Sequence, residues 1–168
     1  MLPTVITLVR ADVLLMDAAI AGDDALTFAL GHEVVPGWAT FREALEPVRD
    51  GLHADPESAA WGPRLFVAGD PPELVGWGGF KGPPGGGVVE LGYEIAEQRR
   101  NRGLATAATN AMLDEAFTDP LVDAVTAHTL AERNASTRVL EKCGFEFDGE
   151  TVEEGMEIWR FRLARPAA

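Results

Sequence analysis

Several residue types that mark other classes of protein are scarce or absent in this chain of 168 residues. It has one cysteine, Cys143, so it can form no internal disulfide and offers no thiol pair for zinc, which favours a reducing cytoplasm. No apolar run approaches the roughly 20 residues of a membrane-spanning helix. The first residues, MLPTVITLVRAD, lack the pattern of a secretory signal. We therefore expect a cytoplasmic protein that does not associate with membranes.

Positive charge is also scarce, because 14 Lys and Arg stand against 27 Asp and Glu, giving a formal net charge of −13. This balance argues against general binding of nucleic acid, which depends on neutralising phosphates. It is compatible with attraction of a cationic partner such as an amine. When the charge is considered by itself, the simpler explanation is that the acidic residues only keep the protein soluble.

Familiar catalytic motifs are missing as well. The chain has no Gly-x-x-x-x-Gly-Lys-Ser/Thr loop, no Gly-x-Gly-x-x-Gly turn after a first strand and no Gly-x-Ser-x-Gly elbow. These absences argue against a P-loop nucleotide hydrolase, a dinucleotide-binding fold and a serine hydrolase of that type. The three histidines lack metal-ligand spacing, so we expect no metal.

The hydrophobic pattern predicts strands and helices in alternation. Expected strands are Val5–Val9, Val13–Met16, Leu65–Ala68, Leu74–Phe80, Val88–Ala96, Val122–Thr129, Phe145–Phe147 and Ile158–Leu163. Expected helices are Ala25–Leu30, Trp38–His53, Gly103–Phe117 and Asn134–Cys143. A strand–helix–strand unit implies a parallel pair, and the flanking hairpins imply antiparallel neighbours. We predict one α/β or α+β domain over residues 1–168, with a mixed sheet and helices on both faces.

The most informative stretch is Glu90–Ala105, ELGYEIAEQRRNRGLA. An alternating strand runs into three arginines, Arg99, Arg100 and Arg102, and then into Gly103 and a helix. A turn of free backbone N–H groups at the positive end of a helix dipole suits a phosphate. The Arg-x-x-Gly-x-Ala spacing is common by itself, and a solvated basic loop beside a helix start is the alternative interpretation.

A second signature, TAHTLAERNASTRVLEKCGF, covers Thr126–Phe145. Together the two segments resemble the GNAT family of acetyl-coenzyme A-dependent N-acetyltransferases. The form Asn-Ala-Ser-x-Arg-Val-Leu-Glu-Lys-x-Gly-Phe is similar to the branch that contains the ribosomal-protein N-terminal alanine acetyltransferases. The resemblance covers Glu90–Phe147, about a third of the chain. It implies a mostly antiparallel central sheet in which one parallel pair of strands is splayed.

The resemblance also implies where acetyl-coenzyme A binds. Backbone groups near Ile95 are expected to bond the pantetheine arm, and Asn134 is expected to contact that arm from the next helix. The turn that would hold the pyrophosphate comprises Arg100, Asn101, Arg102, Gly103, Leu104, Ala105 and Thr106. An unpaired backbone N–H between the splayed strands would stabilise the oxyanion of the thioester.

For proton transfer the resemblance points to Glu90, acting directly or through water, with Glu94 on the same strand face as a second candidate. Many relatives carry a tyrosine as the acid for the thiolate, where this chain has Leu140. Ser136 is the substitute candidate, and water is an alternative. The only tyrosine, Tyr93, faces away from Glu90 by strand alternation and is interpreted as a core aromatic.

We thus expect an enzyme that transfers acetyl directly to a primary amine. A protein N-terminus, an amino sugar, a polyamine and a small metabolite all remain open as acceptors, and a homodimer is compatible with the resemblance. One alternative is a non-catalytic module that binds or senses acyl-coenzyme A. A phosphate-binding protein unrelated to coenzyme A is a second alternative.

Overall fold

A computed structural model describes residues 4–167. One sheet in this part of the chain contains β1 (Ile6–Arg10), β2 (Glu33–Val34), β3 (Pro63–Ala68), β4 (Glu73–Phe80), β5 (Val88–Ile95), β6 (Ala124–Leu130), β7 (Glu146–Glu153) and β8 (Met156–Ala164). The α-helices are α1 (Val13–Ala21), α2 (Asp23–Leu30), α3 (Leu45–Ala54), α4 (Leu104–Thr118) and α5 (Ala135–Lys142). None of the helices described here is both long and apolar enough to cross a bilayer.

The sheet is mixed and mostly antiparallel. Its strand order is β1-β3-β4-β5-β6-β8-β7, and the two-residue β2 pairs with β4 off this path. Strands β5 and β6 run parallel, as do β2 and β4, whereas the other pairs are antiparallel. The parallel β5–β6 pair is joined through α4, as a strand–helix–strand connection requires. The predicted fold class is confirmed.

Helices cover both faces of the sheet. On one face, Met16, Leu26 and Leu45 from α1, α2 and α3 belong to one buried apolar cluster. On the other face, Met112 of α4 and Leu140 of α5 belong to a second cluster. Burial of these two clusters is the main favourable term that holds the layers together.

The segment Val13–Met16, predicted as a strand, is instead the first part of α1. A carboxylate oxygen of Asp12 accepts a hydrogen bond from the N–H of Leu15 at 2.9 Å, so Asp12 caps the helix. Four apolar residues in a row carry no period that separates a buried strand from a buried helix. The cap residue, rather than the apolar run, held the correct signal.

The helix predicted over Trp38–His53 begins only at Leu45, after a 3-10 turn at Arg42–Ala44. Trp38 is fully buried outside any helix, and its indole N–H donates to Asp23 at 3.1 Å. Trp38 is therefore apolar because it packs in the core, and its helical spacing from the next apolar residues does not reflect a helix. The helical periodicity of the later residues was correct.

The other predicted elements are confirmed, apart from shifts at their ends. The largest shift is in the strand predicted at Phe145–Phe147, which runs as β7 over Glu146–Glu153. Most of its residues are exposed, so it lacks the apolar alternation that identifies a half-buried strand. Pairing with β8 defines it.

A gap opens between the two parallel strands. Pairing joins Val88–Leu91 to Ala124–Ala127 and then stops. Beyond that point β5 continues to Ile95 beside β4, while β6 continues beside β8. The sheet is therefore split at the carboxyl ends of its parallel pair, where ligands of α/β sheets commonly bind.

Candidate active site

Backbone groups of alternate β5 residues face this gap. The N–H of Ala96 donates to the carbonyl of Val75 at 2.8 Å. The backbone N–H and C=O groups of the even-numbered β5 residues therefore point toward β4. Because the direction alternates along a strand, the N–H and C=O groups of Tyr93 and Ile95 point toward the gap. The carbonyl of Ile95 accepts a hydrogen bond from Nε of Arg100 at 3.1 Å.

A cleft of about 690 Å³, which we call the charged cleft, extends from the gap to the amino ends of α4 and α5. Its β5 and α4 side is lined by Tyr93, Glu94, Ile95, Arg99, Arg100, Asn101, Gly103, Leu104, Ala105 and Thr106. Its α5 side is lined by Asn134, Ala135, Ser136, Arg138, Val139 and Lys142. Apart from Arg102, the predicted cofactor residues lie on the walls of this one cleft.

The amino end of α4 is built to leave its amides open. Gly103 is the N-cap with φ of 76°, a left-handed conformation that favours glycine, and no side chain caps the helix. No acidic residue lies in the first turn. The first N–H groups of a helix have no partner within the helix, so this end presents donors and a positive dipole to the cleft.

The three arginines before α4 have different surroundings. Arg99 makes two hydrogen bonds to the carboxylate of Glu73, at 3.1 and 3.2 Å, and these bonds raise the pKa of Arg99. Arg100 lies along the cleft, bonded to Ile95. Arg102 does not line the cleft. Part of the positive charge in this turn, that of Arg99, is therefore neutralised by an ion pair with Glu73.

Helix α5 brings a polar end and two cations to the opposite wall. Asn134 caps it through a reciprocal pair of 3.0 Å hydrogen bonds with Thr137. This pair uses Oδ1 of Asn134, and its Nδ2 donates no hydrogen bond within residues 4–167. Arg138 and Lys142 lie one turn apart on the same wall. The wall thus offers an amide donor and positive charge.

Tyr93 lines both this cleft and a second cavity. Its hydroxyl is buried and has no hydrogen-bond partner among the residues described. Burial raises the pKa of Tyr93 to about 12, although the neighbouring Ser136 hydroxyl acts in the opposite direction. A protonated donor is therefore available beside Ser136.

The second cavity, which we call the apolar cavity, has a volume of about 530 Å³. Its walls come from α3, the 3-10 segment Pro56–Trp61, β4 and β5. Large apolar side chains dominate them: Phe41, Val48, Leu52, Trp61, Trp77 and Phe80. The apolar cavity meets the charged cleft at Tyr93 and Glu94, which belong to both.

Glu94 is held in one orientation at this junction. Its Oε1 accepts hydrogen bonds from the N–H of Thr40 at 2.8 Å and from Nε1 of Trp77 at 2.7 Å. Its Oε2 receives none within the described part of the chain. One carboxylate oxygen is thus fixed by two donors, while the other is available to a ligand.

Glu90 has different neighbours. Its carboxylate forms an ion pair with Lys81, and its Oε1 lies 3.7 Å from Nδ1 of His128. The same His128 nitrogen is 2.9 Å from Oε1 of Glu153. Glu90 lines neither the charged cleft nor the apolar cavity.

Comparison with models of protein families matches residues 6–146 to the acetyltransferase (GNAT) domain. This match spans most of the chain and includes both signatures. The chain belongs to the GNAT family. It is an acetyl-coenzyme A-dependent acyltransferase, as the resemblance of its two signatures implied.

Individual proteins that are similar to this GNAT acetyltransferase agree with the family assignment. The uncharacterized N-acetyltransferase YjdG of Bacillus subtilis (strain 168) is 28% identical over 145 residues, which are 84% of this chain and 86% of YjdG. RimJ of Mycobacterium smegmatis, solved with CoA-disulfide, has a TM-score of 0.68 at 21% identity and covers 95% of this chain and 81% of its own. YncA of Salmonella typhimurium, a putative acetyltransferase solved with acetyl-CoA, has a TM-score of 0.64 at 17% identity and covers 95% and 93%. The two structures show the shared fold.

The GNAT fold brings together two of the three residues predicted for catalysis. Glu94 and Ser136 both line the charged cleft beside Tyr93, whereas Glu90 lies outside it. Within residues 4–167, no group of three His, Cys, Asp or Glu side chains is arranged to hold a metal ion.

Sequence reasoning did not single out several residues that line the charged cleft of this acetyltransferase. Tyr93 was interpreted as a core aromatic, and strand alternation does place it on the face opposite Glu90. That face becomes a cleft wall only because β5 and β6 separate beyond Leu91. Arg138 and Lys142 had a usable signal, since their i, i+4 spacing in a short polar helix puts them on one side.

Proposed function

We propose that this enzyme is an N-acetyltransferase that moves the acetyl group of acetyl-coenzyme A directly to a primary amine. The observation that supports this most is the junction of two unlike cavities at Tyr93 and Glu94. One cavity is charged and suits a nucleotide-bearing coenzyme. The other is apolar and suits an acceptor. A ternary complex would bring thioester and amine together at the junction.

The charged cleft has donors for each part of the coenzyme. The amides from Gly103 to Thr106 would hold the pyrophosphate, with Arg100 alongside. Arg138 and Lys142 would add positive charge for the phosphates, and the free amide hydrogens of Asn134 would bond the pantetheine arm. Backbone groups of Ile95 and Tyr93 would bond the arm and the thioester carbonyl within the gap. When bound there, the coenzyme supplies an acetyl thioester that an amine can attack.

Glu94 is the group we assign to accept the proton of the acceptor. An alkyl amine has a pKa of about 10, so near neutral pH it arrives as an ammonium ion and cannot attack. Glu94 lines both cavities, and its Oε2, which accepts no hydrogen bond within the described residues, suits an ammonium hydrogen. Two N–H donors on Oε1 hold the carboxylate in place for this transfer.

The protons balance over the whole reaction. The ammonium ion loses two protons as the C–N bond forms and the C–S bond breaks. The thiolate takes one back, and one is released to solvent. A phenol with a pKa of about 12 would transfer its proton to a thiolate of pKa about 8.5 uphill, by about 5 kcal/mol. Tyr93 therefore acts as a hydrogen-bond donor to the leaving sulfur, and the thiolate takes its proton from solvent, either directly from water or relayed through the Ser136 hydroxyl.

Glu90 is the first candidate for the base from the sequence, and we now place it second. Its ion pair with Lys81 and its place outside both cavities favour Glu94 instead. We further propose that residues 1–168 act as one N-acetyltransferase domain, which the single sheet from β1 to β8 supports.

The test is a thiol-release assay with acetyl-coenzyme A and a panel of amines, with each product identified by mass. We expect amine-dependent release and an acetylated amine. Calorimetry in parallel reports uptake of the coenzyme. Uptake without turnover of any amine would overturn the transfer to amines. Absence of uptake would overturn the assigned cleft as well.

A further inference from the structure

The walls of the apolar cavity carry information about the acceptor itself. We propose that the acceptor is an apolar primary monoamine, in which one ammonium group is attached to an aromatic or bulky aliphatic body. This inference rests on the proposed amine transfer and narrows it. The ammonium would lie at Glu94, next to the charged cleft. The body would fill the space between α3 and β4.

Charge is the first argument. Glu94 is the only acidic side chain among the described residues that line the apolar cavity. The one cation there, Lys81, is 64% exposed and already paired with Glu90. A single ammonium can be matched by Glu94. The further ammonium groups of a polyamine or an aminoglycoside would enter an apolar space without a partner, which is costly.

Apolar surface is the second argument. Phe41 lines the cavity with 63% of its surface exposed, and Trp61 and Trp77 add partly buried rings. Covering such rings with an apolar body removes them from water, at roughly 25 cal/mol per Å². A hydroxyl-rich sugar would gain little there and would lose hydrogen bonds to water.

Space beside Glu94 is the third argument. Gly92 precedes Glu94 by two residues on the same face of β5 and lines the cavity. A Cβ added at Gly92 would have no atom within 4 Å, and its φ lies outside the left-handed region. The absent side chain at this position therefore leaves open volume where the amine body would begin.

Gly92 also provides a sharp test. In the Gly92→Leu variant a side chain would project into the apolar cavity without displacing the backbone. Gly85→Leu is the matched control, because Gly85 also has open space and an ordinary φ but lines neither cavity. Both variants are assayed for thiol release with 2-phenylethylamine, ethylamine, spermidine and glucosamine.

We expect the wild type to show a kcat/KM for 2-phenylethylamine at least about tenfold above that for each of the other amines. In Gly92→Leu the value for 2-phenylethylamine should fall about tenfold or more, while that for ethylamine changes less than about threefold. Gly85→Leu should match the wild type with every amine.

Other outcomes overturn the inference. Preference for spermidine or glucosamine would refute the monoamine class while leaving amine acetylation intact. Equal sensitivity of ethylamine and 2-phenylethylamine to Gly92→Leu would remove the apolar cavity as the acceptor site. If no amine supports thiol release, both the substrate class and the proposed function fall.

Discussion

Nε1 of Trp77 donates a 2.7 Å hydrogen bond to Oε1 of Glu94, its direct partner across the β4–β5 pair. The N–H of Thr40 donates to the same oxygen from the loop before α3. Because two donors from different elements converge on Oε1, they fix the plane of the carboxylate. The orientation of the Glu94 carboxylate, on a residue that lines both cavities, is thus set by the fold around it.

The first prediction concerns this carboxylate. In Glu94→Gln the amide oxygen can still accept from Trp77 and Thr40, so the fold should be unchanged, but the proton acceptor is lost. We expect kcat near neutral pH to fall about a hundredfold or more, with little change in the KM for acetyl-coenzyme A. The loss should shrink as pH approaches 10, since more of the amine is then already deprotonated. If Glu94→Gln retains activity and Glu90→Gln loses it, the base is Glu90.

The second prediction tests the Trp77 donor. Trp77, whose ring centroid lies 6.1 Å from that of Trp38, keeps a six-membered aromatic ring in Trp77→Phe and loses the N–H together with the rest of the five-membered ring. We expect kcat to fall about tenfold, which is the effect of one lost hydrogen bond to a charged group. Trp159→Phe is the control, because Trp159 makes a similar 3.2 Å bond to its cross-strand partner Glu150. Equal kcat values for the two variants would contradict a positioning role for Trp77.

The third prediction concerns the turn at the start of α4. Gly103→Ala places a Cβ at a φ of 76°, which is strained for alanine, and 3.3 Å from Oγ1 of Thr4, so it should disturb the turn. Calorimetry should show acetyl-coenzyme A affinity lowered at least about tenfold. Gly86→Ala also has a positive φ, but lies in open space outside both cavities, and should leave the affinity unchanged. An unaltered Kd in Gly103→Ala would place the pyrophosphate elsewhere.

The charged cleft was predictable from the sequence because most of it is local. Residues 100–106 are consecutive, and Gly103 marks the helix start that they form. Asn134 and Ser136 likewise come from one short segment with a clear cap. The cleft needed only one non-local fact, the separation of β5 from β6, and the family resemblance supplied it.

The apolar cavity was not predictable in this way. Phe41, Trp61 and Trp77 come from three elements whose positions depend on register and on helix packing. Alternation placed Glu90 and Glu94 on one face of β5, but could not say which one reaches a cavity. The connection after β4 brings Lys81 back to Glu90, and only the folded chain reveals that ion pair.

The fourth prediction uses the pKa of Tyr93. Burial raises that pKa from 10 to about 12 in the folded protein, so the buried phenol favours its neutral form. Its contribution to stability is fully present below about pH 10, the unfolded value, and is lost as pH rises to about 12. The loss should approach about 3 kcal/mol of unfolding free energy, and Tyr93→Phe should lack this component.

Absorbance gives a direct readout, because Tyr93 is the only tyrosine in the chain. We expect phenolate to form in the native protein only well above pH 10. We also expect Tyr93→Phe to lower kcat about tenfold. This factor should be the same at every pH from 6 to 9, since the phenol does not titrate in that range. A native phenol that titrates at its ordinary value would remove the burial on which this role depends.

The fifth prediction concerns the frame of the apolar cavity. Arg64 is only 1% exposed, and its Nε donates to Glu115 of α4 at 2.9 Å. Its other nitrogens donate to carbonyls of the 3-10 segment, including that of Ala60 at 2.7 Å. Arg64 therefore ties the wall that carries Trp61 to the helix that begins at the charged cleft.

Removing this guanidinium leaves partly buried carbonyls without donors and Glu115 without its cation. Arg64→Met should therefore lower the free energy of unfolding by about 3 kcal/mol, measured by urea denaturation. Arg133→Met is the control, because Arg133 also pairs with a carboxylate, that of Glu141, but is 71% exposed and should cost less than about 1 kcal/mol. In the folded fraction of Arg64→Met, the KM for the amine should rise more than the KM for acetyl-coenzyme A. Equal rises would mean that Arg64 supports the whole fold rather than the acceptor wall.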